Sequence, residues 1–338
     1  MTLQDGEWSG GMTPGLMSPQ AAANRLRPLS TGELLDRTFA IYRAHFWLFA
    51  GLAGLVGAVS LLLNCLQLLA HHLILVEHGS RMAALEAQVS ALVMVVLVLP
   101  VGAVVLAGSV YALCALYLGR EVTARMAVQA TMGRWMRYLG IGIWQGWSAI
   151  WLFVVLLTGV VLLAVVPGLG ASGKLAGMAL LVPALLVGGG YGLIAYIRNS
   201  LAIPAALMEG TGVRASMRRS KILAAGTKGR IFVVLLIPGA LYMVAGAVDA
   251  PVLFLIARSP RGEHVLAQAF LLLVGFFAHT LVSPVALIGL TLVYFDQRVR
   301  LEAFDLMVMM GAARVEGGSL HPGSQAEVPR PLEQDSSD

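Results

Sequence analysis

Four ionisable side chains stand in or beside long apolar stretches of this sequence, where a charged group is costly and has to have a partner or a purpose. They are Arg198, Glu209, Asp249 and His279. Ionisable groups inside a membrane often relay protons or bind polar substrates, so these four are candidate functional residues. If the helices that carry Asp249 and His279 are antiparallel neighbours, the carboxylate and the imidazole approach each other, although direct pairing requires a stagger of the helices.

Arg198 and Asp249 also have a structural interpretation. Arg198 ends an uncharged run, yet the apolar sequence resumes at residues 201–208, so its guanidinium lies either at membrane depth or at the interface. Glu209 follows Arg198 by about three helical turns and is expected on the same helix side. Asp249 precedes Pro251, which can end the helix early and leave the carboxylate among the lipid headgroups.

The sequence offers no conventional catalytic or metal-binding constellation. No nucleophile, base and orienting group stand in a known motif, and no Cys/His spacing fits zinc. Cys65 and Cys114 fall in apolar stretches and are interpreted as packing residues. The glycines of residues 188–192 are not a phosphate loop, because no Lys-Ser or Lys-Thr follows them. We therefore expect a protein that is not an enzyme and has no catalytic residue, metal or cofactor.

A second group of charged residues flanks the apolar stretches and is placed to join helices to one another. After the last stretch, Asp296 and Arg300 stand at (i, i+4) spacing, and so do Arg298 and Glu302, which favours a helix. We expect this helix to continue from the membrane and to dock against other cytoplasmic helices; the alternative is a solvated helix. The candidate docking residues are Glu33, Asp36, Arg37, Arg218, Arg219, Asp296, Arg298, Arg300 and Glu302.

Four segments resemble a known family. They are LSTGELLDR at 29–37, IPAALMEG at 203–210, ASMRRSKIL at 215–223 and LVYFDQRVRLEAFDL at 292–306. Over most of residues 27–306 the chain resembles bacterial integral membrane proteins of the glycerophosphoryl diester phosphodiesterase membrane-domain type. In the enzyme that gives the family its name, the chemistry belongs to a separate soluble barrel, for which this chain has no room. The resemblance therefore implies a membrane module without the phosphodiesterase activity.

The elements that position these residues follow from the distribution of charge. Of the 338 residues 58% are hydrophobic and only 12% are charged, about half the charged share of a soluble domain. The charged residues leave six long gaps, interrupted only by Asp249, and each gap holds one span of roughly 20 residues. The predicted spans are about 46–70, 90–118, 141–166, 176–197, 231–257 and 266–295.

The predicted fold is an all-α, polytopic transmembrane helical bundle with amphipathic helices at the cytoplasmic interface. A six-span domain over residues 27–310 is expected between disordered cytoplasmic tails, 1–26 and 311–338. Short amphipathic helices recur about 90 residues apart, each before two spans, which suggests three repeated units. Each amphipathic helix is expected to lie in the membrane interface.

Local signals define some helix ends and contacts. Ser30 and Glu33 form an S-x-x-E capping box at the first amphipathic helix. Thr211 is placed to cap the third, and Gly226 to end it in the left-handed conformation. The GxxxG pair at residues 142–146 predicts close helix packing, and the glycines at 188–192 predict a bend or a close approach.

The basic residues predict the orientation of the chain. With six spans, nineteen of the twenty-three Lys and Arg residues fall on one side, which is expected to face the cytoplasm. Both termini would then be cytoplasmic, in the cytoplasmic (inner) membrane of a bacterium. Topology and anionic lipid account for these charges, so nucleic acid is not an expected partner.

Three functions remain open from the sequence. The first is a non-catalytic integral membrane protein that organises lipids or partner proteins. The second is a transporter or permease subunit with a polar path near Arg198, Asp249 and His279. The third is the membrane component of a lipid-related phosphodiesterase system. The expected partners are membrane lipids, anionic lipids among them, and another membrane protein or a second copy of this chain.

Overall fold

The computed structural model describes residues 29–77, 80–117, 119–165, 170–258 and 265–302. Within these ranges the chain is helical and contains no strand, so the predicted all-α class is confirmed. The predicted tails, 1–26 and 311–338, lie outside the described residues. The helices are α1 Thr31–Ala44, α2 Phe46–Glu77, α3 Ser80–Tyr117, α4 Ala124–Met132, α5 Trp135–Val165, α6 Gly170–Asn199, α7 Ala202–Glu209, α8 Val213–Ala224, α9 Lys228–Arg258 and α10 Val265–Glu302.

Among the described residues, six helical segments are long and apolar enough to cross a membrane, as predicted. Helix α10 continues without a break to Glu302, well past the predicted end of the last span, because no glycine or proline interrupts residues 285–302 except Gly289. The segments are Phe46–Leu69, Leu92–Tyr117, Trp135–Leu163, Ser172–Glu209, Lys228–Ile256 and Val265–Glu302. The fourth includes both α6 and the short helix α7, which are separated by a break after Asn199.

The order of elements repeats three times along the chain. The short helices α1, α4 and α8 each precede two long helices, which pack against each other as the hairpins α2–α3, α5–α6 and α9–α10. Helix α10 also contacts α1, α2, α3, α7 and α8. Its residues from 282 to 299 are almost all buried, so α10 is the central helix at the charged end of the bundle.

Helix α1 packs lengthwise on α10. The Leu29 amide donates to Asp296 near one end of the contact, and the Tyr42 hydroxyl donates to the Leu281 carbonyl at the other, at 2.9 Å. Residues 281 and 296 are about 22 Å apart along a helix. Burial raises the pKa of Tyr42, which keeps its hydroxyl a neutral donor.

The predicted capping box is confirmed at α1. The Ser30 hydroxyl accepts from the Glu33 amide at 3.2 Å, and the Glu33 carboxylate accepts from the Ser30 amide at 2.8 Å. The equivalent prediction for Thr211 was wrong. Gly212 is the N-cap of α8 and makes no side-chain cap, while the Thr211 hydroxyl, one residue too early, bonds the Ser216 hydroxyl at 2.8 Å.

The predicted glycine stop after α8 was also wrong. Helix α8 ends at Ala224, and Ala225 stays in the right-handed region, with φ −58°. The amides of Ala225 and Thr227 bond carbonyls three residues back, so the chain tightens into a short turn that leads directly to α9. Gly226 is therefore not needed in the left-handed conformation.

Glycines bring α5 and α6 together at one place and leave space at another. A Cβ added at Gly192 would stand 2.6 Å from the Ala149 carbonyl oxygen, and one at Gly188 would stand 2.9 Å from the Phe153 Cα. These distances confirm the predicted close approach. The predicted close packing at residues 142–146 was wrong, because neither glycine has a neighbour within 4 Å of an added Cβ. Both line cavities instead.

Candidate functional site

Asp296 is the centre of an ion cluster at the charged end of the bundle. Its side chain is 0% exposed. Its Oδ1 accepts from the Leu29 amide at 2.7 Å, and its Oδ2 accepts from Arg230 Nη1 at 2.5 Å and Arg300 Nε at 2.9 Å. The predicted (i, i+4) pair with Arg300 is present, while Arg230 was not predicted as a partner. Gln297 Nε2 also donates to Oδ2 at 3.4 Å. The buried carboxylate is thus held by two guanidinium groups, one backbone amide and one side-chain amide.

The same two arginines bind the chain where it enters α1. Arg230 and Arg300 both donate to the Leu29 carbonyl, at 2.5 Å and 2.7 Å. Arg230 Nε also donates to the Thr31 hydroxyl at 3.3 Å. The Asp296 cluster therefore joins the starts of α1 and α9 to the end of α10, and its hydrogen-bonding capacity is largely used within the protein.

A second cluster surrounds Glu209. Arg219 Nε donates to the Glu209 carboxylate at 2.9 Å, and the Tyr294 hydroxyl donates to the same oxygen at 3.1 Å. Arg219 also pairs with Glu302, which accepts from Arg298 Nε at 3.0 Å. This cluster joins α7, α8 and α10. The partner of Glu209 is thus Arg219 on α8, and the last turn of α10 contacts α8 through Glu302.

The other candidate docking residues have different surroundings. Glu33 belongs to the capping box, while Asp36 and Arg218 are exposed and take no part in either cluster. The Arg37 guanidinium lies over the Tyr117 ring, with Cζ 5.2 Å from the ring centroid. Arg37 therefore lies outside the Asp296 and Glu209 clusters, between α1 and the end of α3.

Arg198 lies at the end of α6, and its side chain is exposed. The helix stops at Asn199, and the apolar sequence after it forms the separate helix α7, in which residues 202–207 are buried. The Ser220 hydroxyl holds this break, because it donates to the Arg198 carbonyl at 2.9 Å and accepts from the Leu201 amide at 3.1 Å. The apolar run is thus not a deeper continuation of the span. Arg198 stands at the level of α8.

Asp249 and His279 do not form a pair. Helix α9 continues through Pro251 to Arg258, in agreement with the predicted span 231–257, so the alternative of an early end at Pro251 was wrong. The bend that a proline introduces is tolerated in a membrane helix when neighbours accommodate it. Asp249 Oδ1 is buried and has no hydrogen-bond partner among the described residues. Within the same part of the chain no hydrogen bond or ion pair joins it to His279.

His279 instead lines two neighbouring cavities of about 310 Å³ and 260 Å³ in the bundle. A third cavity, of about 270 Å³, shares four lining residues with the larger of the two. These shared residues are Leu106, Gly142, Ile203 and Leu287. Because each cavity shares a wall with the next, we treat the three together and refer to them as the furrow.

The furrow follows α10 for most of its length. Its lining on this helix extends from Leu271 to Thr291, which is about 30 Å and comparable with the thickness of the hydrocarbon core of a bilayer. Its walls are mainly apolar. The polar lining residues are Ser60, Asn64, Ser109, Tyr138, Gln145, Tyr196, Ser200, His279, Ser283 and Thr291. Such a space suits a molecule with a long apolar chain and a few polar groups that accept hydrogen bonds.

Neither metal chemistry nor disulfide chemistry has residues to support it in the part of the chain that the structure describes. No three His, Cys, Asp or Glu residues there could hold a metal ion. Cys114 is buried and Cys65 is exposed, and neither forms a disulfide. Comparison with family models, with curated proteins and with solved structures gives no match. The resemblance of the four sequence segments to a membrane-domain family stays a prediction.

Sequence reasoning missed the furrow and half of the Asp296 cluster. Gly142 has no side chain to signal a cavity, and its GxxxG spacing is typical of close packing. Arg230 had a usable signal, because it stands at the start of a span, while Asp296 stands just after the end of another. No spacing within the sequence connects the two, since Arg230 and Asp296 are 66 residues apart.

Proposed function

We propose that this protein is a non-catalytic integral membrane protein that binds a membrane lipid along the furrow and organises lipids in the bacterial cytoplasmic membrane. The observation that carries the proposal is the furrow itself, an apolar space that follows α10 from Leu271 to Thr291. Lipid tails surround such a bundle at high concentration. Because tails are as apolar as the furrow walls, binding depends on close packing and on a few polar contacts.

Polar side chains line all three cavities of the furrow, for example Asn64, His279 and Gln145. Ser109, Ser283 and His279 line its largest cavity together with aliphatic side chains. The Ser109 hydroxyl already donates to the Val105 carbonyl at 2.8 Å. The His279 imidazole and the Ser283 hydroxyl can donate a hydrogen bond to a lipid ester carbonyl. The charged clusters are less suited to a ligand, because the Asp296 carboxylate already accepts four hydrogen bonds from the protein. These clusters brace the bundle beside the furrow.

The proposed orientation places both termini in the cytoplasm, on the basis of the nineteen basic residues on one side. In a chain whose native cysteines are replaced by alanine, a membrane-impermeant thiol reagent added outside intact cells is expected to label Ser172→Cys. It is expected to leave Gly212→Cys unlabelled until the cells are opened. Labelling of Gly212→Cys from outside would overturn this orientation.

Gly142→Leu is expected to exclude lipid from the furrow. A Cβ at Gly142 meets nothing within 4 Å, so the leucine side chain fills cavity space without displacing backbone. The measurement is cross-linking to phosphatidylcholine that carries a photoreactive group in its acyl chain. We expect cross-linking to residues 271–291 to fall several-fold relative to the unaltered protein, with little change in the thermal unfolding midpoint.

Gly159→Leu is the matched control for this experiment. Gly159 lies on the same helix, also has open space around an added Cβ, and lines none of the three cavities. Its cross-linking is expected to equal that of the unaltered protein. Equal cross-linking in both variants, or cross-links spread evenly over the outer helices, would contradict a lipid site in the furrow.

A permease is the second candidate function, and one observation favours it. The furrow extends over the thickness of a bilayer core and passes His279, a titratable group. However, Arg198 and Asp249 line none of its three cavities, so the polar path expected from the sequence has only one of its members here. The two candidates differ in what occupies the furrow, which is an acyl chain in one case and water with a polar substrate in the other.

A further inference from the structure

A separate cavity of about 350 Å³ lies between α1 and the end of α3. One part of its wall is basic, formed by Arg37 and His45, and the remainder is mainly aliphatic, with Leu113 and Leu116 on α3. Among the described residues that line it, none carries a carboxylate. We refer to this space as the Arg37 pocket. Its combination of basic and apolar walls suits an amphiphile with a negative headgroup.

Aromatic stacking holds the Arg37 guanidinium in place. Its Cζ is 5.2 Å from the centroid of the Tyr117 ring, a cation–π distance. The Tyr117 ring is in turn stacked on Phe295, with centroids 5.0 Å apart and planes at 5°. A guanidinium has five N–H donors in its plane, so it can bind a phosphate in addition to other acceptors. Arg37 is therefore a positioned cation rather than a freely moving one.

The Arg37 pocket lies at the charged end of the bundle. Phe295, on which Tyr117 stacks, is the residue next to Asp296, whose cluster joins α1, α9 and α10. With the basic side of the protein toward the cytoplasm, this level corresponds to the headgroups of the inner leaflet. A phosphate bound here remains at the membrane surface and does not have to be desolvated at membrane depth.

The pocket and the furrow follow the same side of α3. Ser109 lines the furrow and Leu113 lines the pocket, and these residues are about 6 Å apart along the helix. The same order is found on the segment opposite α3, where His45 lines the pocket and Phe49, four residues later, lines the furrow. A lipid with its phosphate in the pocket therefore has its acyl chains directed toward the furrow.

We propose that the Arg37 pocket binds the phosphate of an anionic phospholipid, whose acyl chain occupies the furrow; the proposal rests on the proposed lipid-binding function. Arg37 makes charge-assisted, bidentate hydrogen bonds to the phosphate oxygens. His45 supplies a further donor, and Leu113 and Leu116 contact the first part of the acyl chain. A choline or ethanolamine group would bring a second cation to Arg37, so lipids with a net negative headgroup are preferred.

The test compares Arg37→Gln with Arg43→Gln in nanodiscs that contain equal amounts of phosphatidylglycerol and phosphatidylcholine. Arg43 is an exposed basic residue on the same helix that does not line the pocket. Native mass spectrometry measures the phosphatidylglycerol that stays bound relative to phosphatidylcholine. We expect this ratio to fall about tenfold or more in Arg37→Gln, the loss that accompanies one charge-assisted hydrogen bond. Arg43→Gln is expected to retain the ratio of the unaltered protein.

An unchanged ratio in Arg37→Gln, or an equal fall in both variants, would overturn the proposal. If Arg37→Gln does not fold, His45→Ala replaces it, because His45 is exposed and its substitution disturbs the fold less. An unchanged phosphatidylglycerol-to-phosphatidylcholine ratio in His45→Ala would likewise overturn the proposal. Displacement of phosphatidylglycerol by millimolar inorganic phosphate would show that a soluble anion, and not a lipid, is the ligand. For Arg37→Gln we expect the preference for phosphatidylglycerol to be lost, while cross-linking of phosphatidylcholine in the furrow stays intact. If Arg37→Gln keeps that preference and cross-linking still depends on Gly142, the Arg37 pocket is rejected as the phosphate site, but lipid binding in the furrow is not.

Discussion

Asp296→Asn is expected to destabilise the protein by roughly 3 kcal/mol, near the lower end of the cost of breaking a buried ion pair. The substitution removes the charge that Arg230 and Arg300 share, and it leaves two cations close to each other around the Leu29 carbonyl. The cost stays near the lower end because the Arg300 side chain is 41% exposed, so water can solvate its charge. Thermal unfolding in detergent measures the effect.

Asp36→Asn is the control, because Asp36 is exposed on α1 and belongs to neither charged cluster. It is expected to change the unfolding midpoint little. Arg300→Met should soften the effect of Asp296→Asn when the two are combined, since the double variant no longer holds two unpaired cations. Equal midpoints for Asp296→Asn and Asp36→Asn would show that the Asp296 cluster contributes nothing to the fold.

Gly192→Ala is expected to destabilise the α5–α6 hairpin by about 1–3 kcal/mol, the usual cost of overpacking. The new Cβ would stand 2.6 Å from the Ala149 carbonyl oxygen. That atom belongs to the backbone of α5 and cannot rotate away, so the two helices have to separate. The thermal unfolding midpoint and proteolysis of the hairpin in detergent measure the change.

Gly189→Ala and Gly190→Ala are matched controls on the same helix. Neither glycine has an atom within 4 Å of an added Cβ, and alanine is the better helix former by up to about 1 kcal/mol. These variants are expected to be neutral or slightly stabilising, opposite in sign to Gly192→Ala. A midpoint of Gly192→Ala at or above those of the controls would mean that α5 and α6 do not approach as closely as described.

The six spans were predictable because gaps between charged residues have to be longer than a bilayer core, and this signal needs no tertiary information. The end of the fourth span shows where the signal fails. The apolar run at residues 201–208 gives no indication that the chain breaks after Asn199 and packs again as α7. The break depends on the Ser220 hydroxyl, which comes from a different helix.

The charged residues were predictable only where their partners are local. The Asp296–Arg300 and Arg298–Glu302 pairs follow from helical spacing. The contacts of Asp296 with Arg230 and Leu29 join residues 66 and 267 positions apart, and they exist only because α1, α9 and α10 converge. The glycines are a similar case, since identical residues face a backbone at Gly192 and a cavity at Gly142.

Lipid binding in the furrow is tested most directly by a structure of the protein in nanodiscs that contain phosphatidylglycerol. We expect acyl-chain density along α10 between residues 271 and 291, in contact with the furrow walls, and no water path past His279. A headgroup phosphate is expected beside Arg37. A continuous water-filled path across the midplane, or helices closed together with no lipid between them, would contradict the lipid-binding function.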